Sequence, residues 1–160
     1  MHENKFEFSY KVYGNSDELP EEQRSLLKKA QEISEQAYAP YSNFHVGAVA
    51  KLFNGKFVAG TNQENASYPV GLCAERVLLA SASSQFPNVP IEAIAVSYKS
   101  ESQKSDHPVS PCGICRQSLQ EFESRVNHPI QLILGGMTGE VYVMDSASKL
   151  LPLAFTNVEL

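Results

Sequence analysis

The chain contains three cysteines, and they fall in two short stretches: Cys73-Ala74-Glu75-Arg76 and Pro111-Cys112-Gly113-Ile114-Cys115. Cys112 and Cys115 are three residues apart, which puts both sulfurs on one face of a helix or of a turn entering one. Cys73 brings a third thiolate from elsewhere in the chain. Three protein ligands leave a tetrahedral zinc one position short. A catalytic zinc keeps that position for water, whereas a structural zinc fills it with a fourth Cys or His. Glu75 stands two residues past Cys73, close enough to reach such a water without being a ligand, as a general base must. Taken alone, a CxxC is equally half of a structural zinc site or a redox pair, and a helix acid is usually just solvated. The fixed offset of Glu75 from Cys73, and Pro111 ahead of the second pair, favour catalysis. Three thiolates leave zinc in a net negative cluster, so something should draw charge off the sulfurs. Arg76 is the nearest candidate and Gln117 a second. His2, His45, His107 and His128 have no ligand spacing to one another and are read as outside the metal site.

These residues need elements to hold them. The stretch from Cys73 to about Ser84 has good helix formers and no Gly or Pro, and a second helix is expected from Cys112 to about Phe122. If both cysteines open helices, unpaired backbone N–H groups and the helix dipoles favour the thiolates. Upstream, Pro20-Glu21-Glu22 looks like a helix start. Leu26, Leu27, Ala30, Ile33, Ala37 and Tyr38 then keep helical spacing as far as Pro40. Strands are expected over His45–Phe53 and Lys56–Gly60, joined by the Asn54-Gly55 hairpin signal. Further strands are expected over Ile91–Tyr98, Pro129–Leu134 and Val141–Met144. Residues 99–107 are polar and read as a surface loop. Phe6, Phe8, Tyr10 and Val12 alternate, so residues 1–19 form an extension, either an added edge strand or a loose arm. The pattern predicts a three-layer α/β/α domain over 20–160, built on a mixed five-stranded sheet.

Composition narrows the function. At 160 residues, 42 % of them hydrophobic, the chain suits one globular domain with its own core. Its net charge is −5 and no basic stripe is visible, so a grip on polynucleotide is not expected. An odd cysteine number in a CxxC-plus-one pattern points to metal rather than disulfides and suits a reducing cytoplasm. No apolar signal region or membrane-length run is present in the sequence.

Asn62-Gln63-Glu64-Asn65-Ala66-Ser67-Tyr68, Cys73-Ala74-Glu75-Arg76 and Pro111-Cys112-Gly113-Ile114-Cys115-Arg116-Gln117 together resemble the cytidine deaminase family. More narrowly they resemble its small three-cysteine, homotetrameric branch, from about Leu26 to about Phe155. The resemblance implies a cytidine deaminase-like fold and zinc held by Cys73, Cys112 and Cys115. It implies hydrolytic deamination of cytidine and 2′-deoxycytidine at C4, with Glu75 moving the protons. It assigns Arg76 to the thiolates, and Asn62 and Glu64 to the ribose. That fits an amide and a carboxylate alternating along an extended segment. It places Phe44 against the base or sugar, with Ala66 and Tyr68 lining the pocket; His45, which follows Phe44, is then expected near the pocket mouth. Leu150-Leu151-Pro152-Leu153-Ala154-Phe155 reads on composition as a last core element. The resemblance instead sends Phe155 into a neighbouring subunit's pocket. Residues 1–19, residues 99–107 and Pro69-Val70 depart from the family pattern, which leaves substrate range open. A deaminase of a nucleoside-like antibiotic or modified cytidine, and an inactive zinc-stabilised binding module, stand as alternatives.

Overall fold

A hairpin starts the sheet. Strands β2 (Phe44–Leu52) and β3 (Phe57–Thr61) pair antiparallel in the computed structural model, which describes residues 1–160. Gly55 supplies the turn's positive φ of 79°, and the Asn54 side chain accepts from the Lys56 amide. Strand β4 (Ile91–Ser100) runs antiparallel along β2, and β5 (Gln131–Gly135) lies parallel to β4. Strand β6 (Val141–Met144) turns back along β5.

The sheet has six strands rather than the expected five. The extension contributes β1 (Lys11–Tyr13), which pairs antiparallel with β6, giving the order β1-β6-β5-β4-β2-β3. Without it the polar backbone edge of β6 would lie open. Residues 1–10 form no regular element. The ordered strand is therefore shorter than the alternation of Phe6 to Val12 suggests. Tyr10 packs on Tyr142 of β6 with ring centroids 4.9 Å apart.

Helix α1 (Glu21–Ser34) covers one face of the sheet, while α2 (Ala74–Gln85) and α3 (Gly113–Val126) cover the other. Strand alternation divides the core accordingly. Val49, Ala95 and Ile133 face α1, whereas Ala48, Val96 and Leu132 face α2 and α3. Gly60 lets α2 come close, since a Cβ there would lie 2.4 Å from the Leu78 amide nitrogen. Helix α1 ends at Ser34, earlier than its apolar spacing suggests. The chain beyond it turns extended: Tyr38 donates to the Asn62 carbonyl and accepts from the Glu64 amide. No helix is long and apolar enough to cross a membrane.

The residue 99–107 loop is shorter and better fixed than its polarity implies. Lys99 and Ser100 continue β4. The Ser105 carbonyl accepts from Met137 (2.7 Å) and Thr138 (3.2 Å) in the β5–β6 turn.

A buried carboxylate ties the end of α3 to the C-terminal segment. Glu123 accepts from the amides of Ile130 and Ala147, both at 2.7 Å, from the Ser148 amide at 3.2 Å and from the Ser146 hydroxyl at 3.0 Å. Glu123→Ala strands those donors. The expected loss is about 1–3 kcal/mol for each buried group left unpaired. A domain of this size loses roughly 2–4 °C of melting temperature per kcal/mol. Thermal unfolding should show the drop, with metal content unchanged because Glu123 is remote from the thiolates. A melting curve matching the parent protein would remove Glu123 from this role.

Candidate active site

Each half of the cysteine cluster sits at a helix start. Cys73 is the residue before α2, with an extended backbone (φ −73°, ψ 152°), and Cys112 occupies the same position before α3. Cys115 lies one turn into α3 and is fully buried. The helices therefore aim their first amides and positive dipole ends at the sulfurs. The Cys73 and Cys112 sulfurs are 3.8 Å apart, those of Cys112 and Cys115 3.5 Å apart, and all three lie within 4.8 Å of one another. Tetrahedral thiolates on zinc, at about 2.3 Å each, would lie about 3.8 Å apart. Donor type, number and spacing all fit zinc, and fewer than four ligands leave a position open.

Charge is shared unevenly among the sulfurs. Cys73 is lowered to about 6, chiefly by a hydrogen bond from Cys115, with Cys112 and Arg76 assisting against burial and Glu75. The same contact and burial push Cys115 well above the ordinary thiol range. Glu75, in the first turn of α2, is 6 % exposed. Burial raises its carboxyl, while its own amide and Cys115 pull the other way.

Cys73 and Glu75 open onto a cavity of about 630 Å³. Phe44, Asn62, Glu64 and Tyr68 line the same cavity, together with Val96, Val109 and Ser110. Phe44 projects from the start of β2. The Asn62 amide spans two backbone groups of that strand, accepting from Val46 (2.7 Å) and donating to the Phe44 carbonyl (2.9 Å). Glu64 accepts from the Tyr41 and Ser42 amides at 2.8 and 3.3 Å and from the Ser42 hydroxyl. Those bonds, Ser42's hydroxyl first, hold its pKa below the usual carboxylate range despite some desolvation. Glu64 is therefore a fixed anion at the rim.

Three expected residues, Ala66, Gln117 and His45, lie outside the places read for them. Ala66 is exposed and outside the lining, because the segment after Glu64 turns outward before the helical turn Tyr68–Val70. Gln117 donates to the Phe155 carbonyl at 2.9 Å, so its amide is spent on the C-terminal segment rather than on a thiolate. Phe155 itself is 60 % exposed and does not line this chain's cavity, nor is it a core residue. Arg76 lies beside the groove between α2 and α3 and reaches Cys73 through its charge. His45 also lies outside the cavity lining, and its Nδ1 is buried without a partner.

Sequence reasoning assigned no role to Arg116. Its Nε donates to the Pro111 carbonyl (2.8 Å) and its Nη1 to the Leu150 carbonyl (3.2 Å), fixing the turn that carries Cys112. Its place in the Pro111–Gln117 motif was the available signal.

Comparison with known proteins gives a consistent result. Residues 20–128 match the cytidine and deoxycytidylate deaminase zinc-binding region. A cytidine deaminase of Halalkalibacterium halodurans is 36 % identical over 135 residues, covering 84 % of this chain and 95 % of that protein. One from Sporosarcina psychrophila is also 36 % identical over 135 residues, covering 84 % and 92 %. The crystal structure of cytidine deaminase from Burkholderia pseudomallei superposes with a TM-score of 0.71 at 41 % identity, covering 82 % of this chain and 97 % of that one. The matched region contains all three cysteines and Glu75, and by that match the chain belongs to the cytidine and deoxycytidylate deaminase family of zinc enzymes.

Proposed function

We propose that this protein hydrolyses cytidine and 2′-deoxycytidine to uridine and 2′-deoxyuridine, releasing ammonia. The observation that carries the proposal is a buried, pKa-raised Glu75 opening onto the same cavity as Cys73. Cys73, Cys112 and Cys115 would hold zinc. When bound, zinc supplies a water acidified to near neutral pH. Glu75 moves the protons: it accepts one from the attacking water and returns it to N3 of the pyrimidine, then takes the remaining proton from the hydroxyl added at C4 and delivers it to the amino group leaving that carbon. Burial makes its carboxylate a stronger base than an exposed one, so it takes up the proton from water more readily. Phe44 closes one side of the cavity against the base or sugar, and Tyr68 flanks the opening. Arg76 offsets part of the thiolate charge. Incubation of zinc-loaded protein with cytidine should lower ultraviolet absorbance as uridine forms. No turnover of cytidine would sink this reading, and turnover of a nucleoside antibiotic alone would support the alternative activity.

Asn62 and Glu64 would meet the ribose hydroxyls. Each keeps spare acceptor capacity, and Asn62 keeps a spare N–H. Leaving a buried polar partner unpaired costs about 1–3 kcal/mol, so Glu64→Ala should lower kcat/KM for cytidine by roughly ten- to a hundredfold. The penalty should shrink with free cytosine, which lacks the sugar. Asn62→Ala should show the same pattern plus a lower melting temperature, because that amide also braces Phe44 and Val46. An equal penalty with cytosine would refute the sugar assignment.

The active unit proposed is a cytoplasmic homotetramer serving pyrimidine salvage, with residues 1–19 an extension on one catalytic domain, 20–160. The exposure of Phe155, Leu153 and Ile114 supports a covered apolar surface. Phe155 would complete another subunit's site. Light scattering should give about four times the 17.6 kDa chain mass. Mixing Glu75→Gln with Phe155→Ala subunits under exchange should restore part of the activity. A fully active monomer, or mixed assemblies that recover nothing from two impaired parents despite proven exchange, would return Phe155 to its own chain.

A further inference from the structure

Behind the cavity lies a pair of side chains that the reaction itself does not use. Tyr98 of β4 is opposite Val46 of β2, two residues from Phe44, so its ring lies on the same sheet face as Phe44. It is fully buried, the bulkiest side chain in the chain to be so. The two rings stack with centroids 4.9 Å apart and planes 19° from parallel. Tyr98 thus backs the aromatic that lines the cavity, while Val96, two residues earlier on β4, lines the cavity directly.

The far end of the ring meets the loop after β4. The Tyr98 hydroxyl is 3.4 Å from the Lys104 carbonyl and 3.4 Å from both ring nitrogens of His107. His107 Nδ1 is 3.1 Å from an Asp106 carboxylate oxygen. With Nδ1–H turned to that carboxylate, Nε2 is left to accept from the phenol. Burial, with Asp106 adding, raises the Tyr98 pKa, so the hydroxyl keeps the proton it donates. Two residues beyond His107 the same loop becomes cavity wall at Val109 and Ser110, and it then enters Cys112.

We propose that Tyr98 and His107 are positioning residues for substrate: the Tyr98 ring sets the plane of Phe44, and its hydroxyl bond to His107 sets the Val109–Ser110 wall. This rests on the cytidine deaminase reading above, in which Phe44 touches the nucleoside. A ring that must stack flat on a ligand gains from having its own back face stacked, because the free protein then holds the bound orientation. Neither Tyr98 nor His107 is placed to touch the reacting atoms, so the effect should fall on binding rather than on chemistry.

The test is steady-state kinetics with cytidine on the zinc-loaded enzyme and its variants. Tyr98→Phe and His107→Ala each remove the contact between the hydroxyl and His107 and should raise KM about three- to tenfold, the range of a modest hydrogen bond, with kcat nearly unchanged. Their double variant should be no worse than either alone. Tyr98→Ala should raise KM further, and adding it to Phe44→Ala should cost little more, since the ring it supports is gone. Melting temperature and zinc content accompany each variant. If Tyr98→Ala does not fold, the Tyr98→Phe and His107→Ala pair decides, as His107 is largely exposed and its loss spares the core. Additive effects within either pair, unchanged KM in both mild variants, or a fall in kcat at constant KM would overturn the proposal. Wild-type enzyme inactive on cytidine would instead remove the functional reading on which it rests.

Discussion

Glu75→Gln is expected to keep its fold and its zinc while losing about 10²–10⁴-fold or more in kcat, because the amide preserves shape but cannot take up a proton. The upper end is favoured by the number of transfers assigned to this one group. No other carboxylate lining the cavity can substitute: Glu64 is held as an anion by Ser42 and Tyr41, so it takes up a proton poorly. KM should change little, since Gln fills the same space. Single-turnover measurement on zinc-verified protein separates a lost chemical step from slow product release. A Glu75→Gln enzyme with near-normal kcat would place the base elsewhere.

Replacing any one cysteine by alanine should remove metal and turnover together. Two thiolates cannot hold zinc as three do, and an incomplete ligand set cannot hold the water either. Cys115→Ala should also cost stability, as its sulfur is fully buried between α3 and the cluster, whereas Cys112 is exposed and its loss should be felt chiefly through the metal. Elemental analysis after dialysis against a mild chelator provides the readout. A Cys73→Ala protein with full zinc content would strike that residue from the ligand set.

Much of the fold is legible because its signals are local. Asn54-Gly55 between two apolar runs can do little but turn, and β6 occupies the stretch Val141–Met144 that its composition indicates. What escapes is long-range pairing. Helix α1 has the apolar spacing to continue past Ser34, but backbone bonds from Tyr38 to residues 62–64 win the chain for an extended path. The alternation from Phe6 to Val12 promises a strand, yet only as much forms as β6 offers an edge to pair with. The cysteine cluster could be read because three rare residues at fixed offsets carry their own geometry. The work of Gln117 and Arg116 could not, since an amide and a guanidinium fit many partners and only the tertiary fold chooses among them.

The fastening of the loop after β4 has a consequence for inheritance. Gly136 and Gly139 leave no room for a side chain beneath that loop: a Cβ on Gly139, whose φ is +81°, would lie 1.9 Å from the Asp106 carbonyl oxygen, and one on Gly136 would lie 2.3 Å from that of Ser105. The cavity wall and the β5–β6 turn are therefore two halves of one module, separated in sequence by α3 and β5. Recombination that moves residues 101–109 into a relative without residues 136–139 would deliver a loop with no seat. Drift in the turn, tens of residues from the cavity, would reshape the pocket without altering any residue that lines it.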